Sequence, residues 1–248
     1  MQIDTLKLLR GKVIKIDNVG ELKPIIVDEV VDIGEKQFYK YLNNLCFDVD
    51  DLQLGLEEKQ RVVNEKITTF QILVSGCYHD LEHLQLILKA LKFFFKNDVC
   101  FLREYGIFFF GDFEESLFIT SDNYELIKSI LKLQNGISKN EFEDENPNDE
   151  RTKLLLEKRK KAREKLAKAK AKNNNGESEP LLFADIVSIM CSNANGVTNE
   201  NVWYMNFYFF QDQFQRMKLI EDYDINIKSI LAGANPDEID VKHYISHI

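Results

Sequence analysis

The chain has 248 residues, 44% of them hydrophobic, enough for one large domain or two small ones built on a real core. A formal charge of −9 disfavours generic binding to nucleic acid or anionic membranes, and only 4 Pro and 11 Gly argue against a loop-dominated or all-β chain. Cys46, Cys77, Cys100 and Cys191 are far apart with no Cys-x-x-Cys pair, the pattern of free thiols in a reducing compartment.

The opening MQIDTLKLLRGKVIKID lacks the apolar run and small-residue cleavage site of a secretory signal. The most apolar region, Leu91 to Phe110, is interrupted by Lys92, Lys96, Asp98, Arg103 and Glu104. It therefore falls short of the roughly 18 uncharged apolar residues that a membrane helix needs. A cytoplasmic protein is expected.

In chain order, Val13 to Asp17 reads as a short strand, and Lys23-Pro24 opens a helix running through Ile33. The run Gly34 to Phe47 is helical, with Phe38, Tyr41, Leu42 and Leu45 on one face. Two longer helices are expected between Glu57 and Lys96, broken at Ser75-Gly76. The second carries the stripe Leu81, Leu84, Leu88, Leu91 and Phe95. The period then changes, and three apolar runs at 99–103, 107–110 and 117–120 predict an antiparallel meander. Asp122 and Glu125 resemble a capping box for a helix from Tyr124 to Leu133 that stops at Asn135-Gly136.

The middle of the chain is unusual in composition. Glu141 to Glu150 holds six acids and no base, whereas Arg151 to Lys172 holds eleven Lys or Arg against Glu157 and Glu164. That basic stretch carries +9, so the rest of the chain carries −18. Its Ala, Leu, Lys, Arg and Glu are strong helix formers, which predicts an exposed basic helix followed by a linker through Pro180.

Core-like patterning then resumes. Leu182, Ile186 and Ile189 mark a short helix, and Thr198 is a candidate cap for the next one. There Trp203, Phe207, Phe210, Phe214 and Met217 recur at spacings of four and three. Ile227, Ile230 and Leu231 mark a further helix closed at Gly233, and Asn235-Pro236-Asp237 starts a last turn.

The fold class expected is α+β, predominantly helical. An N-terminal α+β domain with the small meander spans 1–138, an acidic loop and exposed basic helix span 139–180, and a C-terminal helical bundle spans 181–248.

Candidate chemistry is sparse. The four histidines form the i, i+4 pairs His79/His83 and His243/His247, and on a helix each pair shares the face that lets two imidazoles reach one metal. Cys77 adds a third donor near the first pair and Asp240 lies near the second. However, HDLEH is not the order that sets a glutamate beside a metal-bound water. Asp48, Asp50 and Asp51 lack the further ligands of a calcium loop. Neither a Gly-x-Ser-x-Gly turn nor a glycine-rich phosphate loop is present, so neither an enzyme nor a cofactor or metal is expected.

Two features suit a protein partner. Lys158, Arg159, Lys160, Lys161, Arg163 and Lys165 lie in the basic stretch, and Trp203, Phe207, Phe210 and Phe214 in the aromatic stripe. Without interleaved aromatics to stack on bases, the basic stretch reads as a solvated helix neutralised by the adjacent acids, or docked on an acidic partner, rather than as a nucleic-acid site. Aromatic residues at helical spacing are usually core, so for the stripe core packing is the main reading and a partner groove the alternative.

Several segments carry a family resemblance: VVDIGEKQFYKYLNNL, SDNYELIKSILKLQNGISK, ENPNDERTKLLLEKRKKAREKLAK, LLFADIVSIMCSN, and the block from NVWYMNFYFFQDQF to DVKHY. In their order and composition the chain resembles the tail assembly chaperones and related tail-morphogenesis proteins of phages infecting Gram-positive bacteria. The resemblance implies a non-enzymatic protein of the host cytoplasm that binds the tape measure protein and helps recruit tail tube protein subunits. The alternatives are a structural component of the virion (tail, neck or baseplate) and a nucleic-acid-associated protein acting through the basic stretch. A homo-oligomer is an open partner class, and no membrane partner is expected.

Overall fold

The computed structural model describes residues 3–49, 67–111, 117–137, 181–193, 196–235, 239, 241 and 243–245. Two compact units emerge, one made of Met1–Ile137 with Val187–Ile248 and the other of Ser138–Ile186. The first and last of the three expected regions thus contribute to one unit. The acids of 141–150 and the basic residues Lys158 to Lys165 lie outside the described residues.

In the larger unit, α1 (Thr5–Leu9) starts where the Asp4 carboxylate accepts the Leu6 amide at 2.9 Å. Strands β1 (Ile14–Ile16) and β2 (Gly20–Leu22) form an antiparallel hairpin, turned by Asn18 at φ +59°. Helix α2 spans Val27–Ile33, starting later than Lys23-Pro24 suggests. The delay has a tertiary cause: Phe207 donates its amide to the Ile25 carbonyl at 2.7 Å, and Val27 donates to that of Met205 at 3.0 Å. This antiparallel bridge between Ile26 and Asn206 holds Ile26 extended, so the helix begins only at Val27.

Helix α3 (Glu35–Cys46) buries the expected face, Phe38, Tyr41, Leu42 and Leu45. Helices α4 (Thr69–His79) and α5 (Leu81–Phe95) meet at Asp80, not at Ser75-Gly76. Asp80 is extended, and its carboxylate accepts the Glu82 and His83 amides at 2.8 and 3.2 Å, which restarts the helix. Gly76 lies within α4, and a Cβ there would sit 2.8 Å from the His83 ring. This glycine therefore provides room for α5 and does not break the helix. In α5, Leu84 and Leu91 are buried as expected, whereas Leu81 is 62% exposed.

The meander forms as read, from β3 (Val99–Leu102), β4 (Ile107–Phe110) and β5 (Leu117–Ile119) in the order β3-β4-β5. Phe108 faces Phe70 of α4 at 6.3 Å, and Phe110 lies 4.7 Å from Phe95 of α5, which seats one sheet face on the helices. Helix α6 (Ser121–Gln134) follows, capped by Thr120 reciprocally with Asn123 rather than by the Asp122–Glu125 pair. It ends at Asn135-Gly136, as the sequence predicts, with Gly136 at φ +67°.

Helix α7 (Phe183–Asn193) buries Phe183, Val187 and Met190, so its apolar face lies one position on from Leu182, Ile186 and Ile189. A 3₁₀ turn at Val202–Tyr204 leads into α8 (Phe207–Leu231). The two C-terminal helices read from sequence are one helix of 25 residues, about 37 Å long. It closes through Ala232 and Gly233. The described chain is thus predominantly helical with two small antiparallel sheets.

Candidate interaction surface

Helix α8 is divided by burial. Phe207, Phe210 and Phe214 in its first two turns are 1%, 1% and 7% exposed, and Phe207 meets Phe38 of α3 edge-on at 4.9 Å. These three rings lie in the chain's own core, the packing alternative for the stripe. Trp203 is not on α8 at all. It belongs to the 3₁₀ turn, where its indole donates to the Asn199 carbonyl at 2.7 Å, while the neighbouring Val202 is fully buried.

Asn206, a residue that sequence reasoning passed over, makes the junction. Its side-chain oxygen caps α8 by accepting the Phe209 amide at 2.8 Å, and its nitrogen donates to the Leu9 carbonyl at 3.0 Å. An asparagine immediately before an apolar helical run is a cap signal, so this role was readable in NFYFF. Thr198 is confined to the preceding turn, accepting from the Glu200 amide at 3.3 Å.

Beyond Phe214 no residue of α8 is buried. Ile220, Ile225 and Leu231 are 47%, 60% and 81% exposed, so this distal half presents apolar side chains to solvent among its charged residues. The C-terminal residues return to it. His243 and Tyr244 lie 5.1 and 5.4 Å from Tyr223, and Arg216 donates to the Tyr244 carbonyl at 3.5 Å.

The His79/His83 pair does not make the expected shared face. His79 closes α4 and His83 lies in the first turn of α5, with the extended Asp80 between them. His247 lies outside the described residues. Among the described residues, no group of three or more His, Cys, Asp or Glu is placed to hold a metal ion.

The acidic run at Asp48 has a different occupation. Lys128 and Lys132 of α6 converge on its carboxylate, Lys128 at 3.1 Å. Lys128 is 8% exposed and also reaches Glu125 at 2.7 Å and the Thr69 hydroxyl at 3.0 Å. Burial alone would raise the Asp48 carboxyl, but hydrogen bonds and charge from the two lysines hold it below its ordinary value. Burial alone would lower the Lys128 ammonium, and its two carboxylates outweigh that and raise it. Asp50 and Asp51 lie outside the described residues. The signal for this cluster was Lys128 itself, a charge on the Tyr124-Ile127-Leu131 face of α6.

The thiols divide by environment. Burial pushes Cys46 up to about 12, against the lowering effect of Lys132 and Lys128, and Cys77 up to about 11; Cys100 is exposed on β3. With a chromogenic disulfide reagent at pH 8, Cys100 is expected to react first and Cys46 and Cys77 only on unfolding. Rapid labelling of Cys46 in the native chain, located by mass spectrometry, would contradict this packing.

Residues 170–248 match the YomV second domain family. This family is phage-associated, and the match supports a phage protein. It takes in α7, the 3₁₀ turn and α8, so the split helix belongs to the matched region. No curated protein and no solved structure matches the chain. None of the helices among the described residues is long and apolar enough to cross a membrane.

Proposed function

We propose that this chain is a non-enzymatic phage tail assembly chaperone, acting in the host cytoplasm on the tape measure protein and helping to recruit tail tube subunits. The phage-associated match over residues 170–248 is the observation that carries this reading. Two physical features suit it. A net charge of −9 keeps a protein and an apolar client in solution. The distal half of α8 offers exposed apolar side chains of the kind that hold an amphipathic helix.

Co-expression with the tape measure protein of the same phage tests the proposal. The expected result is a soluble complex that co-purifies, together with a larger soluble fraction of the client. A client whose solubility is unchanged, with no complex formed, overturns it. Stoichiometric copies in purified particles would instead assign the chain to the virion.

A further inference from the structure

We propose that the cavity between α3 and α5 is a binding site for a carboxylate group carried on a short aliphatic stem. Gln37, Lys40 and Tyr41 stand at i, i+3 and i+4 on α3 and so share a face. On α5, Glu82, Gln85, Leu86 and Lys89 keep the same helical spacing. The two faces bound a cavity of about 240 Å³. That is below the roughly 300–1,000 Å³ of a drug-sized pocket and suits one small acid or one acidic side chain.

Tyr41 is the residue that points to a ligand. Its ring packs 5.9 Å from that of Phe93, and the residue is only 8% exposed. Its hydroxyl has no hydrogen-bond partner among the described residues, yet it is not a sealed polar atom. The hydroxyl therefore opens into the cavity that Tyr41 lines. A largely buried phenol without a protein partner is costly, and a ligand oxygen seated in the cavity satisfies it.

The donors set the charge of that ligand. Lys40 and Lys89 both line the cavity, and neither forms an ion pair among the described residues. With the Tyr41 hydroxyl and the amides of Gln37 and Gln85 they outnumber the one carboxylate, Glu82. A lone carboxylate is also a poor start for a metal site. The cavity therefore takes an anion rich in acceptors, with the half-buried Leu86 for its stem. A doubly charged phosphate monoester would be repelled by Glu82, which favours the singly charged carboxylate.

Amide NMR titration of the full chain tests the site with no client present, so its outcome is separate from that of the chaperone reading. The probes are butyrate, its neutral isostere butyramide, and an end-blocked helical peptide whose one charged residue is glutamate. Butyrate is expected to shift the amides of residues 37–41 and 82–89 saturably, and butyramide is not. Lys40→Met should weaken butyrate binding about tenfold, the loss of one charge-assisted hydrogen bond. Tyr41→Phe keeps the ring against Phe93 and should also weaken binding, with an unchanged far-UV circular dichroism spectrum. Tighter binding of the peptide than of butyrate supports the site as a seat for a partner's acidic side chain, and the reverse order as a seat for a free acid. Equal shifts with butyramide, no saturable shift with either acid, or unchanged binding in both variants overturns the proposal.

Discussion

Replacing Phe207 with alanine is expected to destabilise the larger unit by about 3–5 kcal/mol, the usual cost of emptying a buried aromatic site. Phe207 is 1% exposed and meets Phe38 edge-on at 4.9 Å, and its backbone amide is bound to the Ile25 carbonyl. The ring therefore joins the start of α8 to α3, and the cavity it leaves is lined by residues from both ends of the chain. Urea unfolding followed by tyrosine fluorescence and by far-UV circular dichroism should show the two signals moving together to lower denaturant. Ile225→Ala, on the exposed half of the same helix, should stay within about 0.5 kcal/mol of the parent. A Phe207→Ala loss below about 1 kcal/mol, or a transition confined to one probe, would mean that the C-terminal helix is not part of this core.

The second large effect is expected at Lys128. Its ammonium contacts Asp48, Glu125 and the Thr69 hydroxyl at once, tying the end of α3 and the start of α4 to α6. Lys128→Ala should cost about 2 kcal/mol at pH 7, less than a fully buried pair because Lys132 still serves Asp48 and the carboxylates are partly exposed to solvent. The pH dependence has a definite sign. Asp48 is held below its ordinary value in the folded chain. Its contribution is therefore present above the unfolded carboxyl value of about 3.9 and is lost as pH falls through the folded one. Lys128 is raised, so its contribution is full below about pH 10.4 and fades as pH rises through its folded value. The parent should accordingly lose more stability than Lys128→Ala between pH 6 and pH 3. A gap between the two that stays constant over that range would rule out the ion cluster as its source.

Local pattern carried far in this chain. The face of α3 was readable because Phe38, Tyr41, Leu42 and Leu45 repeat at helical spacing, and a helix of that amphipathicity has one way to face a core. The meander was readable because short apolar runs separated by glycine-containing turns favour strands. Where the reading slipped, a local signal had a non-local use. Gly76 looked like a break but provides room for the His83 ring. The HDLEH pair looked like one face of a helix, yet Asp80 is a better cap than a helix interior residue and divides it.

The interaction surface was less legible for the same reason. Spacing shows that the Phe-rich stripe is a seam, but a core seam and a partner seam have identical periodicity. Burial decides between them, and it assigns Phe207, Phe210 and Phe214 to the core while leaving Ile220 in solvent.

The amino-acid sequence by itself determined the predominantly helical α+β class, the meander, the extent of α3 and the close of α6 and α8 at their glycines, since each depends on side-chain periodicity and caps within a few residues. Only the tertiary structure decided that residues 25–27 pair with 205–207, that Asn206 reaches a carbonyl 197 residues away, and that α8 is core for two turns and surface beyond them. Backbone hydrogen bonds and ring contacts between distant segments leave no period in the sequence. They are fixed only when the unpaired polar groups and the apolar faces of separate elements are satisfied together.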